Sequence, residues 1–193
     1  MNFNDLNPPI LELPTRGLWY RIQRIKPREG SVRVRGLILP PLGTMTGRFD
    51  QEEEPVAYLA DSGITALYES MFRRESDSRS FGQLRERHLV VFSATRRLRL
   101  ADIRGLEERF PVLQSLRYGS TQAFARDCRR QDLDGVLYAS AQHPRHQCLC
   151  VFEKGIAALR RLTKAPLVEP GSDRMHHSVV AAAIGSQIPI VDH

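Results

Sequence analysis

The stretch that most constrains this chain is residues 56–72, where a short apolar strand runs through a tight turn into an amphipathic helix. Val56-Ala57-Tyr58-Leu59-Ala60 reads as the strand, and Asp61-Ser62-Gly63 as the turn, with Ser62 placed to N-cap the helix. From Ile64, the apolar residues Leu67, Tyr68, Met71 and Phe72 recur at i+3, i+4, i+7 and i+8, which is one face of a helix. Glu69 lies off that stripe. At 100° per residue it projects about 130° from the stripe centre, so it is exposed or faces a cleft rather than the core. The plain alternative is a solvated carboxylate pairing with Arg73 at i+4, worth about a few tenths of a kcal/mol.

A chain of 193 residues with 41% hydrophobic content buries one substantial core, so one domain is expected. No apolar run approaches a membrane span. The start, Met-Asn-Phe-Asn-Asp-Leu-Asn-Pro-Pro, lacks a basic segment followed by an apolar one, which points to a soluble cytoplasmic protein. Cys128, Cys148 and Cys150 cannot all pair, and the last two share one face of a strand, so they read as reduced thiols. The formal charge of +6 and pI near 9.6 invite a nucleic-acid reading. The arginines, however, scatter from Arg16 to Arg174, and no helix-turn-helix, zinc-finger or ribonucleoprotein signature occurs, so direct nucleic-acid binding is not expected. An acidic protein partner or a dinucleotide pyrophosphate suits the charge as well, because the Arg fork binds carboxylate or phosphate bidentately.

Residues 1–16 read as a Pro-rich extended arm, 17–165 as the main body and 166–193 as an extension of the same domain. Strands are expected at 18–25, 32–39, 88–94, 136–139 and 148–152, and helices at 101–110 and from Ser120 to about Arg130. Residues 177–184 fit helix or strand. Pro40 to Gly47 is a loop able to approach a ligand through its backbone, but it lacks the Gly-Lys-Ser/Thr ending of a phosphate-binding loop. The mixture of strands and short helices predicts an α+β (mixed α/β) single compact domain.

Two constellations are set aside. His143, His146, Cys148 and Cys150 carry zinc-ligand side chains, but their spacing matches no common zinc pattern, so no metal site is expected. Ser140 with Asp134 and a nearby His could suggest a hydrolase triad, yet no Gly-x-Ser-x-Gly elbow surrounds the serine.

Trp19-Tyr20-Arg21, Gly47-Arg48-Phe49, Tyr58-Leu59-Ala60-x-Ser62-x3-Ala66-x2-Glu69, Asp134-Gly135-Val136-Leu137-Tyr138-x-Ser140 and the strand Leu149 to Glu153 together resemble the RES domain family, in order and spacing, over residues 17–153. That family is named for an Arg, a Glu and a Ser, and the matching positions are Arg21 or Arg48, Glu69 and Ser140. The resemblance implies a catalytic domain over 17–165 with a fold similar to diphtheria-toxin-type ADP-ribosyltransferases. It also implies cleavage of the nicotinamide–ribose bond of NAD+, with inorganic phosphate as acceptor in phosphorylase members and no cofactor beyond NAD+ as substrate. A helix-turn-helix (Xre-type) antitoxin whose tail blocks the cleft, in an oligomeric complex, is implied on the same ground.

The residue types suit that chemistry. Nicotinamide leaves as a neutral molecule from a cationic ring, so the main burden is stabilising a developing oxocarbenium ion, which a carboxylate such as Glu69 does well. Arg21 and Arg48 are expected to grip pyrophosphate or phosphate, Tyr58 to stack on nicotinamide, Ser140 to donate to a ribose or carboxamide group, and Tyr20 to join the NAD-binding set. Water or a protein side chain could replace phosphate as acceptor. A different class of reading is a catalytically silent partner-binding module, against which all the pattern's Arg, Tyr, Glu and Ser positions are filled.

Overall fold

The computed structural model describes residues 2–192. In chain order its elements are α1 (Phe3–Leu6), β1 (Ile10–Leu13), β2 (Trp19–Arg24), β3 (Val32–Val34), β4 (Leu37–Leu39), β5 (Ala57–Ala60), α2 (Gly63–Ser70), β6 (Arg79–Ser80), α3 (Phe81–Arg85), β7 (Arg87–Ala94) and β8 (Leu98–Asp102). A 3-10 turn (Pro111–Gln114) comes next, then α4 (Gly119–Arg130), β9 (Gly135–Ala139), β10 (Gln147–Val151), α5 (Glu153–Ile156), β11 (Leu159–Pro166), α6 (His177–Ser186) and β12 (Ile190–Val191). Eight strands form one mixed sheet in the order β1-β8-β9-β10-β5-β2-β7-β11. Within this sheet β8 and β9 run parallel and the other neighbours antiparallel. The class is mixed α/β, as the interleaved pattern predicts.

Strand periodicity builds a core on each face of this sheet. Along β10, Cys148 and Cys150 point into one cluster and Leu149 and Val151 into the other. The first cluster packs Leu67 of α2, Phe124 and Cys128 of α4 and Val179 and Ala182 of α6 against the sheet. The second is closed by Leu37 and Leu39 of the β3–β4 hairpin and by Ile156. All three cysteines are buried thiols. Among the described residues no helix is long and apolar enough to cross a membrane.

The strand-turn-helix unit expected from the sequence is present: the Ser62 hydroxyl accepts from Thr65 N at 3.0 Å, capping α2. Three segments differ. Residues 2–16 are tied to the domain: the Asn2 and Asp5 side chains cap α1 reciprocally, Phe3 stacks on Phe124, and β1 joins the sheet edge through β8 with Leu13 buried. Residues 101–110 are not a helix. Ala101 and Asp102 complete β8, Ala101 paired with Ile10 and Val136 and Asp102 with Leu137, and Gly105 at φ +79° sits where a helix cannot continue. Finally, β11 has no counterpart among the expected strands. Residues 177–184, which fit helix or strand in the sequence, are helical.

Candidate active-site cleft

The four central strands β9, β10, β5 and β2 carry the site on the face covered by α2 and α4. Register places Tyr58 opposite Cys150, Tyr138 opposite Cys148, and Tyr20 opposite Ala60. A cleft of about 450 Å³ opens there, walled by Tyr20, Arg21, Arg48, Tyr58, Glu69 and Tyr138 among others. Its volume lies within the range of small-molecule sites. Five of the six expected site residues therefore meet at one cavity.

The sixth, Ser140, stands behind it. Ser140 is buried, is absent from the cleft wall, and donates its hydroxyl to Glu69 Oε1 at 2.5 Å while accepting from His143 N at 2.9 Å. Gln142 N donates to the same Glu69 oxygen at 3.2 Å. Two donors on Oε1 fix the carboxylate of a residue that lines the cleft. The loop after β9 thus orients Glu69, and the alternative of an i+4 pair with Arg73 is not realised, because Arg73 lies against Glu75 instead.

The two arginines of the pattern differ sharply. Arg21 Nη1 donates to Tyr58 O at 2.9 Å and Nη2 to Ile38 O at 3.4 Å, so its guanidinium ties β2 to β5 and to the hairpin. Burial pushes its pKa down to about 10, with nearby groups such as Tyr58 opposing that fall, so it stays cationic near neutrality. Arg48 forms no ion pair among the described residues, neither with the acidic run at 52–54 nor elsewhere, and lies over the Tyr138 ring at 5.6 Å. Glu54 pairs with Arg129 instead.

The loop carrying Arg48 is held from both sides. Asp50 accepts from Gly47 N at 2.6 Å and from the Tyr58 hydroxyl at 2.8 Å, and that hydroxyl accepts from Phe49 N at 2.8 Å. From α4, the buried Thr121 hydroxyl donates to Arg48 O at 2.6 Å, and Gln122 Nε2 donates to Met45 O and Gly47 O. A Cβ on Gly47 would run into Asp50 and the Tyr58 oxygen, so glycine is required. Tyr58 therefore presents its ring to the cleft while its hydroxyl is committed to this loop. Burial pushes the Tyr58 and Tyr138 hydroxyls well above their ordinary pKa, which keeps both neutral.

Sequence reasoning passed over Asp50, Gln142, Arg73 and Arg74. The last two line the cleft just beyond α2. The adjacent Arg73-Arg74 pair was a readable signal, because a helix ending at Ser70 releases both side chains to a rim. His143 accepts or donates at Thr65 Oγ1 (2.8 Å) and stacks on His146 at 3.7 Å, while His146 lies 3.1 Å from both Asp61 oxygens. Asp134 is clasped bidentately by Arg96 at 2.6 and 2.7 Å, which removes it from any partnership with Ser140. Cys148 and Cys150 lie in the core, and among the described residues no group of three or more His, Cys, Asp or Glu is placed to hold a metal ion.

Comparison with known proteins adds two findings. The RES domain family model matches residues 18–170. A chain of the M. tuberculosis MbcT-MbcA toxin-antitoxin complex has a similar fold, with 20% sequence identity and a TM-score of 0.57 over 82% of this chain and 86% of that one. No curated protein matches the chain.

Proposed function

The chain belongs to the RES domain family, and from that footing we propose that it is the toxin of a toxin-antitoxin pair, acting in the cytoplasm by consuming NAD+. The carrying observation is Glu69, with Oε1 fixed by Ser140 and Gln142, in the wall of a cleft that also holds Arg48. In the proposed reaction the C1''–N bond between ribose and nicotinamide breaks. Its electron pair goes to the ring nitrogen, which discharges the cationic ring. The Glu69 carboxylate opposes the positive charge that develops on the ribose. Arg48, with Arg73 and Arg74 at the rim, attracts phosphate groups, and an oxygen of inorganic phosphate forms the new bond to C1''. Tyr58 and Tyr20 supply ring surfaces for the dinucleotide. A helix-turn-helix antitoxin occupying the same arginine-lined cleft would hold the enzyme silent, in keeping with the complex in which its structural neighbour was solved.

The test is incubation with NAD+ with and without phosphate, followed by chromatography. Free nicotinamide and ADP-ribose 1''-phosphate are expected with phosphate present. Equal release without phosphate would assign water or a protein side chain as acceptor. Glu69→Gln keeps the shape and removes the charge, and a rate loss of about 100-fold, equivalent to about 2.7 kcal/mol, is expected. No nicotinamide from concentrated, partner-free protein would sink the catalytic reading.

A further inference from the structure

A second concave site lies between the β3–β4 hairpin and the β2–β7–β11 side of the sheet. It encloses about 280 Å³ and shares no wall residue with the catalytic cleft. Arg24, Arg33, Arg35, His88, Arg161 and Lys164 line it, and among the described residues no carboxylate does. Arg24 is engaged by Glu86 at 3.1 Å, but Arg33, Arg35, Arg161 and Lys164 form no ion pair among the described residues.

The walls are fixed rather than floppy. Val34 pairs with Leu37 across a two-residue turn whose Arg35 and Gly36 both have positive φ, 51° and 84°. The buried Gln23 fastens this hairpin to β2, donating to Gly36 O at 3.1 Å and accepting from Ile38 N at 3.2 Å. Arg161 then lies directly against Gly36, where an added Cβ would come within 3.2 Å of its Cδ. Charges on an edge strand guard it against pairing with other chains, which accounts for cations on β11 alone. It does not account for a braced hairpin holding two further arginines over the same groove. His88 in the same groove has its pKa lowered, by burial first and then by Lys164.

We propose that this groove binds a small anion bearing two adjacent phosphoryl groups. Several planar guanidinium forks around one concavity match paired phosphates better than a single carboxylate, and an anion relieves the repulsion among uncompensated cations. The shared chemistry is a diphosphate, supplied either as inorganic pyrophosphate or as the diphosphate of a nucleotide.

The experiment is isothermal titration of the full chain at low salt with inorganic pyrophosphate and, separately, with ADP. Three proteins are compared: wild type, Arg48→Ala to disable anion binding in the catalytic cleft, and Arg33→Ser/Arg161→Ser/Lys164→Ser. Pyrophosphate binding that survives Arg48→Ala but weakens about tenfold or more in the triple variant supports the proposal. The triple variant is expected to keep the wild-type rate of nicotinamide release and the wild-type melting temperature without ligand, since its three positions are exposed. ADP binding equal to pyrophosphate assigns the diphosphate alone, and tighter ADP binding assigns a nucleotide. Loss of all binding on Arg48→Ala, or unchanged binding in the triple variant, overturns the proposal. Because anion binding is read by heat, failure of the NAD+ reading leaves this test intact.

Discussion

Replacing Ser140 by Ala separates a residue that touches the substrate from one that aims another residue. Ser140 lies off the cleft wall, and its hydroxyl donates at 2.5 Å to Glu69 Oε1. A hydrogen bond to a charged group contributes about 1.5–3 kcal/mol, and Glu69 would retain only the longer bond from Gln142 N. If that energy serves to hold the carboxylate where charge develops, kcat falls roughly 10- to 150-fold. KM for NAD+ should shift by no more than about twofold, because uniform ground-state binding is untouched. The substitution also strips His143 N of its acceptor, at a stability cost of about 1 kcal/mol. Steady-state nicotinamide release at varied NAD+, alongside urea unfolding, measures all three quantities. A KM raised tenfold or so with kcat preserved would place the hydroxyl on the substrate and refute the aiming role. Unchanged kcat and KM would mean that Gln142 N suffices alone.

Tyr58→Phe keeps the ring in the cleft but leaves Phe49 N and Asp50 without the shared hydroxyl, so a loss of about 1–3 kcal/mol in unfolding free energy and a raised KM through a loosened Arg48 loop are expected; unaltered stability would show that the loop is held by α4 alone. Burial and then His146 depress the pKa of His143 below its ordinary value, so its contribution to stability is complete above about pH 6.5 and is lost as pH falls through the lower folded value. Melting temperatures taken downward from pH 7 should decline less steeply in His143→Gln, and an unchanged slope would contradict that assignment. Expression of the free protein should arrest bacterial growth, with relief by Glu69→Gln or by a neighbouring helix-turn-helix antitoxin; arrest undiminished by Glu69→Gln would mean that toxicity comes from binding rather than from NAD+ consumption.

The parts of the fold legible in the sequence are those whose signal is local. Residues 57–70 could be read because an apolar strand, a capping serine and a helical stripe succeed one another without interruption. Residues 101–110 misled because Ile103, Leu106 and Phe110 fall at helical spacing, whereas Leu98 and Leu100 had already set a strand phase that pairing on both sides enforces. In β11, the run Arg160 to Lys164 is exposed throughout, so no alternation marks it, and only its pairing with β7 makes it a strand. At the site, residue types were legible but their division of labour was not. Ser140 and Glu69 are 71 residues apart, and which of them faces the cleft is decided by how the loop after β9 crosses α2.

Arg21 illustrates the same point and fixes how the two arginines of the pattern differ. Its guanidinium is spent on carbonyls of Tyr58 and Ile38, which joins the strand bearing the cleft's tyrosine to the hairpin on the sheet's other face. A group so committed cannot swing out to clasp a phosphate, and leaving Arg21 would cost β5 and β4 an anchor. Yet a pKa of about 10 keeps it charged at neutral pH, so it still contributes a fixed positive field to the cleft wall. Arg48 has the opposite endowment: its backbone is pinned by Asp50, Thr121 and Gln122 through its loop, while its side chain rests on the face of Tyr138 and makes no ion pair among the described residues. A pinned backbone beneath an uncommitted guanidinium is the arrangement that delivers a cation to a ligand at low entropic cost. In the proposed reaction, then, Arg21 sets the potential, Arg48 makes the contact, and Glu69, aimed from behind by Ser140, supplies the negative charge that the breaking bond requires.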